Sequence, residues 1–254
     1  MDFKQITLEN IDSEHICCAI SDKKGENCVS SKKEWMKERI NEGLIFLKLD
    51  VRGKAFIEYI PAEYAWCPIE ADNYMFINCF WVSGQFKGHG YSNELLERCI
   101  NDAKAKNKCG LAVLFSKKKV PFLSDPKYLK YKGFETADTA NPYFELLYLP
   151  FEKNTAAPKF KECAKNGTIS SDGWAIYYTN QCPHTEKYVP LLIEKEKEKG
   201  IEITAVKIES TAQAQSAPTP FTTYSVFYDG RFITNEILNE RSFEKLTKKL
   251  GLTQ

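Results

Sequence analysis

The chain has 254 residues, of which 43% are hydrophobic and 27% are charged, a composition typical of one large globular domain or two ordinary ones. The formal net charge of +1 comes from 35 basic and 34 acidic residues, which argues against a general nucleic-acid binder, because such a protein needs a concentrated basic face. The N-terminal MDFKQITLEN lacks the basic and apolar regions of a signal peptide. No apolar run approaches the ~20 residues that span a bilayer, so we expect neither nucleic acid nor membrane as a partner.

Nine cysteines are scattered along the chain, with no CxxC pair and no Cys/His cluster at the spacing of a zinc site. The sequence therefore predicts no metal centre. Scattered cysteines of this kind are typical of reduced thiols, most of which act as small core residues. We accordingly expect a cytoplasmic protein.

Strand-like and helix-like segments alternate through the first 151 residues. Arg52–Gly53 is a hairpin signal between two apolar segments, and Ser30 or Ser31 is the expected N-cap of a helix. The predicted strands are residues 3–8, 44–50, 54–60, 73–82, 110–116, 134–136 and 143–149, and the predicted helices are residues 13–20, 31–41, 88–106 and 126–132. This order predicts a mixed α/β (α+β) layer arrangement.

The chain changes character at residues 152–173, a polar stretch that predicts a linker with one short helix. Beyond it, strands are predicted at residues 173–179 and 201–209, on either side of a helix at 182–200. A polar segment at 210–217 then precedes a hairpin at 219–234, with its turn at Asp229–Gly230, and a closing helix at 240–250. We therefore expect an N-terminal domain (1–151), a linker (152–173) and a smaller C-terminal domain (174–254).

The most informative stretch is SGQFKGHGYSNELLERC, Ser83 to Cys99, a glycine-rich turn between a predicted strand and a predicted amphipathic helix. It lacks the GxxxxGK[ST] spacing of a P-loop, and Asn93 stands where the dinucleotide fingerprint GxGxxG requires its third glycine. The pattern that fits is Q-x-x-G-x-G, formed by Gln85, Gly88 and Gly90.

Such a turn is suited to bind a phosphate. The first N–H groups of a helix have no partner within the helix and carry the positive end of its dipole. Gly88 and Gly90 let the backbone approach an anion without an intervening side chain, and Lys87 adds a positive charge. The His89 imidazole would point away from the phosphate, so we expect no catalytic role for that side chain.

The segment FWVSGQFKGHGYSNELLERC, with FINCFWV at its start and YLKYKGFE downstream, resembles the acetyl-CoA-binding motif of the GNAT superfamily of N-acetyltransferases. The resemblance implies a GNAT fold over residues 1–150, with acetyl-CoA (coenzyme A) as cofactor. It implies that amides from Lys87 to Ser92 bind the pyrophosphate, and that main-chain groups of Trp81 and Val82 hold the pantetheine arm and polarise the acetyl carbonyl. The implied contacts of coenzyme A are Phe80, Trp81, Val82, Gln85, Phe86, Lys87, Gly88, His89, Gly90, Tyr91 and Ser92.

Acetyl transfer to an amine needs a neutral amine, a polarised carbonyl and a proton for the leaving thiolate. Many GNAT enzymes take that proton from a tyrosine four residues before the glycine of the GF element, but Leu129 stands at that position in this chain. Tyr128 and Tyr131 are the neighbouring candidates for the acid. Packing on an amphipathic helix is the alternative interpretation of both.

The candidate base is Glu58, Glu63 or a water held by one of them. Glu63 lies in the aromatic segment IPAEYAWCPIEADNY, in which Tyr64 and Trp66 would form the walls of an amine site. A packed loop explains the same residues. The predicted acceptor is a small-molecule amine or an amine on another protein, and whether the chain also forms a homodimer is left open.

The C-terminal domain carries CPHT, residues 182–185, at its first strand–helix junction and resembles thioredoxin. That resemblance implies a cis-proline before the third strand, at Pro218 or Pro220. Thr185 replaces the second cysteine of a redox dithiol, so Cys182 is either a reactive monothiol at a helix N-terminus or part of a binding scaffold. The same domain resembles the YoaP-like domain that is found attached to GNAT domains.

Together these features predict an acetyl-CoA-dependent N-acetyltransferase in which the amine attacks the bound thioester directly. Two alternatives come from other classes. One is a sensor that binds coenzyme A without turnover, and the other is a monothiol thioredoxin-like protein that acts through Cys182.

Overall fold

A computed structural model of the chain describes residues 2–16, 20–22, 24, 26–117, 120, 123 and 126–252. Within these ranges the chain forms thirteen strands and seven α-helices. The strands are β1 (Phe3–Ile6), β2 (Ile45–Leu49), β3 (Ala55–Pro61), β4 (Ile69–Glu70), β5 (Tyr74–Val82), β6 (Gly110–Ser116), β7 (Glu135–Ala140), β8 (Phe144–Pro150), β9 (Lys159–Phe160), β10 (Trp174–Tyr178), β11 (Ile203–Lys207), β12 (Tyr224–Tyr228) and β13 (Arg231–Thr234). The helices are α1 (Cys28–Asn41), α2 (Tyr91–Ala105), α3 (Pro126–Tyr131), α4 (Glu162–Lys165), α5 (Pro183–Glu198), α6 (Thr211–Gln215) and α7 (Glu240–Lys249).

Seven strands form one large sheet in the order β1-β2-β3-β5-β6-β8-β7. Its neighbouring strands are antiparallel except β5 and β6, which run parallel. Because successive side chains of a strand point to opposite faces, the sheet buries two apolar surfaces. One face packs against α2 through Leu95 and Cys99, and the other packs against α1 through Trp35 and Met36. The predicted mixed α/β fold is confirmed.

Strand β5 leaves its parallel neighbour halfway along its length. Its pairing with β6 ends at Ile77 and Val113, whereas its pairing with β3 continues to Val82. Asn78 is an extra residue at this point, because Tyr59 pairs with Ile77 and the next residue back along β3 pairs with Cys79. A bulge of this kind bends the strand and increases its twist. Beyond it β6 does not pair with residues 78–82, and we call this side of β5 the open edge.

The C-terminal strands form a second sheet in the order β11-β10-β12-β13. Strands β10 and β11 are parallel and are connected through α5, whereas β12 and β13 form an antiparallel hairpin. Asp229 and Gly230 have φ values of 44° and 76°, as a two-residue hairpin turn requires. The helix α7 follows this hairpin, in the order of elements predicted from the sequence.

The two sheets share one apolar core, and the segment that follows β3 joins them. The Trp66 indole nitrogen donates a hydrogen bond to the Thr211 hydroxyl at 3.1 Å, and the Cys67 thiol donates to the Pro220 carbonyl at 3.3 Å. The Thr222 hydroxyl donates to the Trp66 carbonyl. The Trp66 ring is 5% exposed and meets the Trp35 ring edge-on, with 5.5 Å between centroids.

The predicted linker is bound to the first sheet. Strand β9 pairs with β4, and the Phe160 amide donates to the Asp138 carboxylate at 2.9 Å. Farther along, Thr168 forms a bridge to Arg231 of the second sheet. The segment between the two sheets therefore has fixed contacts on both sides.

The structure differs from the sequence predictions where side chains compete for backbone groups. The predicted helix 13–20 is a turn at residues 13–16, because the Asn10 side chain accepts the Thr7 amide; residues 17–19 lie outside the described residues. Helix α1 begins three residues before the predicted Ser31, since the Asp22 carboxylate accepts the Val29 and Ser30 amides. The segment predicted as polar, 210–217, contains α6.

The prediction of a cis-proline before the third strand of the second sheet is wrong. Among the described residues the cis peptide bond is Asn141–Pro142, so Pro218 and Pro220 both follow trans bonds. The Pro220 carbonyl instead accepts a hydrogen bond from the Cys67 thiol, in the segment that follows β3.

No helix in the described ranges combines the length and the apolar character needed to cross a membrane.

The shared core makes Trp66 a test of how the two sheets depend on each other. We expect Trp66→Ala to lower the free energy of unfolding by about 3–5 kcal/mol, because it leaves a cavity among buried side chains. Tyr64→Ala is the matched control, since Tyr64 is 45% exposed in the same segment, and should cost less than about 1 kcal/mol. Urea unfolding of both variants measures this, and equal losses would contradict the expectation.

Candidate active site

The glycine-rich turn between β5 and α2 has an open concave surface. Gly84, Gly88 and Gly90 have φ values of 58°, 81° and 84°, in the left-handed region that favours glycine. A Cβ atom placed on any of the three would have no heavy atom within 4 Å. The space in front of the turn is therefore open to a ligand that approaches the backbone.

A row of backbone amides faces no partner at this turn. Within the described part of the chain, no hydrogen bond is made by the N–H groups of residues 88–92, whereas the Asn93 amide already bonds to the Gly90 carbonyl at 2.9 Å. These groups stand at the start of the 15-residue helix α2, where the helix dipole is positive. Such a set of donors fits a pyrophosphate.

Phe86 holds the turn in place. Its side chain is 9% exposed and packs in a small cluster with Leu49 and Ala55. A Cβ atom at Gly53 would lie 2.2 Å from the Phe86 ring, so the β2–β3 hairpin needs a glycine there. Gln85, Lys87 and His89 are exposed around this anchor, which leaves the backbone of the turn accessible.

Tyr128 lies on the α2 side of the open strand edge. Its ring meets the Phe80 ring of β5 edge-on at 5.8 Å, and its hydroxyl donates to the Asn93 Oδ1 atom of α2 at 3.1 Å. Burial raises the pKa of Tyr128 to about 12, so the phenol keeps its proton at neutral pH. Leu129, at the position where the family pattern has tyrosine, is buried in the core.

A buried ion pair lies on the opposite, α1 side of the sheet. The Lys32 ammonium, 3% exposed, is 2.7 Å from Glu58 Oε2, and Glu58 is fully buried. Asn78 Nδ2 donates to Glu58 Oε1 at 3.2 Å. Within the described residues, the buried Asn78 Oδ1 has no hydrogen-bond partner. The Lys32 ammonium also donates to the Gln181 carbonyl, just before α5, at 2.7 Å.

The other predicted site residues lie elsewhere. Glu63 follows the end of β3 that is remote from the turn, roughly 20 Å away for a strand of this length, and pairs with Lys108 at 2.7 Å. Trp66 is buried between the two domains, and Tyr64 is exposed beside it. Tyr131 is 83% exposed. The structure thus places Tyr128 and Glu58 beside opposite faces of β5 near its bulge and does not bring the other four there.

Cys182 is the N-cap residue of α5 and is half-buried. The Thr185 hydroxyl, one turn later, donates to the Thr179 and Cys182 carbonyls at 2.6 and 2.7 Å. The hydroxyl hydrogen of Thr185 is therefore bonded to backbone carbonyls at the start of α5. The neighbouring Gln181 carbonyl is the group that Lys32 holds.

Two comparisons with known proteins bear on the family. A protein-family profile described as YoaP-like matches residues 202–245. The uncharacterized N-acetyltransferase YoaP of Bacillus subtilis (strain 168) is 44% identical over 251 residues, which are 99% of this chain and 100% of that protein. The chain belongs to the YoaP family of N-acetyltransferases. The sequence predictions of an acetyltransferase and of a YoaP-like C-terminal part are thereby confirmed.

Solved structures of other acetyltransferases are similar to part of this YoaP-family chain. The PaiA N-acetyltransferase from Thermoplasma acidophilum, in complex with coenzyme A, is 15% identical with a TM-score of 0.40, and the match covers 59% of this chain and 100% of that one. The streptothricin acetyltransferase from Bacillus anthracis str. Ames, in complex with acetyl coenzyme A, is 18% identical with a TM-score of 0.34, over 43% of this chain and 62% of that one. At these TM-scores the family assignment depends on the full-length relative.

Sequence reasoning missed Lys32 and Asn78, although one signal was present. Lys32 stands in the helical stripe with Trp35, Met36 and Arg39, all of which are buried. A lysine in such a stripe and a glutamate inside the apolar strand AFIEYIP are two opposite charges at core positions. Since buried charges need partners, the two could have been paired from the letters alone.

The Lys32–Glu58 pair predicts an asymmetric mutational response. We expect Glu58→Gln to lower the free energy of unfolding by about 3–5 kcal/mol, because it leaves a buried ammonium without its counter-charge. The double variant Lys32→Met/Glu58→Gln should recover most of that loss. The control is Glu70→Gln in the exposed Lys159–Glu70 pair, which should cost less than about 1 kcal/mol. Urea unfolding of the wild type and the three variants measures this, and a double variant that loses at least as much free energy of unfolding as Glu58→Gln alone would refute a coupled pair.

Proposed function

We propose that this YoaP-family chain transfers the acetyl group of acetyl-CoA to a primary amine of a small molecule or a protein. The observation that carries the proposal is the row of five amides, residues 88–92, which have no partner in the described part of the chain and stand beside an open strand edge. A pyrophosphate would accept hydrogen bonds from the amides, and an extended arm would lie along the edge of β5 at Trp81 and Val82, with which β6 does not pair.

The residues of the turn would hold the donor from the α2 side. Lys87 adds charge to the amides, and the backbone of Trp81 and Val82 offers hydrogen bonds along the open edge. Acetyl-CoA, when bound, supplies a thioester with an electrophilic acetyl carbon and a thiolate leaving group. An N–H group of β5 near the bulge at Asn78 would polarise the carbonyl.

Tyr128 is the proposed acid. It contacts both Phe80 on the open strand and Asn93 on the helix that follows the turn, so its hydroxyl lies where the sulfur end of a pantetheine arm would reach. Its raised pKa keeps the proton available at neutral pH. A thiolate forming in a partly desolvated cleft would take that proton.

The acceptor would approach from the α1 side of β5. Trp81 pairs with Phe56, which faces α1, so the Trp81 side chain lies on the same face. That ring is 43% exposed and could receive an ammonium by a cation–π contact. The buried Glu58 would act by fixing Lys32 and Asn78 beneath the acceptor, and the Asn78 Oδ1 atom would accept an N–H group of the amine.

We further propose that residues 174–254 form a thioredoxin-like domain, with 1–151 as the transferase domain and 152–173 as the connection. The support is the parallel β10–α5–β11 unit followed by the antiparallel β12–β13 hairpin and α7. An enzyme that acts through the thiol of Cys182 is the competing function. If Cys182→Ser leaves every measured activity of the chain unchanged, that alternative is excluded.

Donor binding predicts a rise in thermal stability. At 100 times the dissociation constant, acetyl-CoA should add about 2.7 kcal/mol to the native state, which raises the Tm by about 5–10 °C for a protein of this size. S-acetyl-N-acetylcysteamine is the control, because it carries the thioester without the pyrophosphate and should leave the Tm in place. No rise with acetyl-CoA in excess would sink the proposal, and a rise without turnover on any amine would favour the sensor.

The acid assignment predicts different effects for two neighbouring tyrosines. Tyr128→Phe should lower kcat by about 100-fold, because one proton donor is lost, and should leave the KM for acetyl-CoA nearly constant. Tyr131→Phe, on the same short helix but 83% exposed, should behave as the wild type. Release of coenzyme A, followed by chromatography, measures both. Equal rates in the two variants would remove Tyr128 from the mechanism.

A further inference from the structure

Helix α5 of the second domain begins against the open strand of the first. The Gln181 carbonyl accepts a hydrogen bond from Lys32 at 2.7 Å, and the same ammonium is 2.7 Å from Glu58. Glu58 pairs with Cys79, the residue after the bulge on β5. Lys32 and Glu58 thus connect the residues just before α5 to the strand segment that would carry the acetyl group.

His184 lies in the first turn of α5 and is half-buried. Its strongest charged neighbours are Lys54, which directly precedes β3, and Lys187 on its own helix. The Lys54 carbonyl accepts the Ser83 amide at 2.9 Å, at the start of the glycine-rich turn. His184 is three residues from Gln181, whose carbonyl binds Lys32, and it stands where α5 packs against α1, on the α1 side of the sheet.

The surroundings keep this imidazole neutral. Burial lowers the pKa of His184 below its usual 6.5, and the positive charges of Lys54 and Lys187 lower it further. Lys187 is paired with Glu26 at 2.7 Å, and Lys32 is paired with Glu58 at 2.7 Å, so each of these two carboxylates is already bound to a lysine. A neutral imidazole at pH 7 can accept a proton.

We propose that His184 is the general base of the transfer reaction and that the second domain thereby completes the active site. The inference rests on the proposed acetyl transfer. As the acceptor nitrogen bonds to the acetyl carbon, one N–H proton moves to the unprotonated ring nitrogen of His184. The C–S bond breaks, and the sulfur takes the phenolic proton of Tyr128. Solvent then exchanges the proton from His184 and restores the proton of Tyr128.

The two proton-transfer groups would then act from opposite faces of one strand. Tyr128 stands on the α2 side with Phe80, and His184 stands on the α1 side with Lys54. This separation keeps the acid and the base from neutralising each other. It also gives a chemical reason for the buried Lys32 contact, because a base on a second domain must be held at a fixed place to reach the amine.

A kinetic test uses His184→Ala and the exposed Leu191→Ala, two turns later on the same helix. Coenzyme A release from acetyl-CoA is measured with spermidine as the probe amine and with water alone. His184→Ala should lower kcat by about 100-fold, keep the KM for acetyl-CoA and regain rate with added imidazole, whereas Leu191→Ala should match the wild type. A His184→Ala variant with the wild-type rate, or one that imidazole does not rescue, would overturn the proposal.

A second test needs no turnover. The chain has three histidines, so their ring Cε1–H signals in NMR spectra of the full chain can be assigned with the single variants His15→Asn, His89→Asn and His184→Asn. Acetyl-CoA should shift the His89 signal, which reports on the turn, and also the His184 signal, and His184 should titrate below pH 6.5. If His89 shifts and His184 does not, the donor binds but His184 is remote from it, and the inference fails. If neither signal shifts, both this inference and the proposed donor site fail.

Discussion

The salt bridge between Lys32 and Glu58 is the contact on which the arrangement of the molecule depends. Neither side chain has appreciable contact with water, so each charge is tolerated only because the other is present. The same ammonium binds the Gln181 carbonyl, and the same carboxylate binds the Asn78 amide. One pair of charges therefore links helix α1, the bulged strand β5 and the residues just before α5.

The bulge at Asn78 divides β5 into two parts that have different partner strands. Before it, β5 is an ordinary interior strand with partners on both sides. After it, β5 pairs with β3 and no longer with β6, so a ligand can approach the backbone of Trp81 and Val82 from that edge. Because side chains still alternate across this segment, Phe80 faces α2 and Trp81 faces α1, so donor and acceptor can approach the same backbone from two sides.

The sequence predicted what depends on local pattern. Strand β6 has the predicted bounds, and the glycine-rich turn lies between β5 and α2 as its letters indicate. Trp66 shows the limit of that reasoning. Its aromatic neighbours suggested that it forms a wall of the amine site, but its indole nitrogen donates to Thr211, 145 residues away. Asn78 and His184 acquire their meaning only from partners brought together by packing. Such distant contacts leave no periodic signal in a single sequence.

The hydrogen bond from Thr222 to the Trp66 carbonyl joins residues 156 positions apart, and this separation has a consequence for synthesis. At roughly 5–20 residues per second, the segment around Trp66 waits about 8 to 30 s on the ribosome before the residues that cover it are made. During that interval the first sheet exposes an apolar groove. Apolar surface that is exposed in this way is prone to aggregation, so the time taken to synthesise residues 67–222 bears on how much of the enzyme folds.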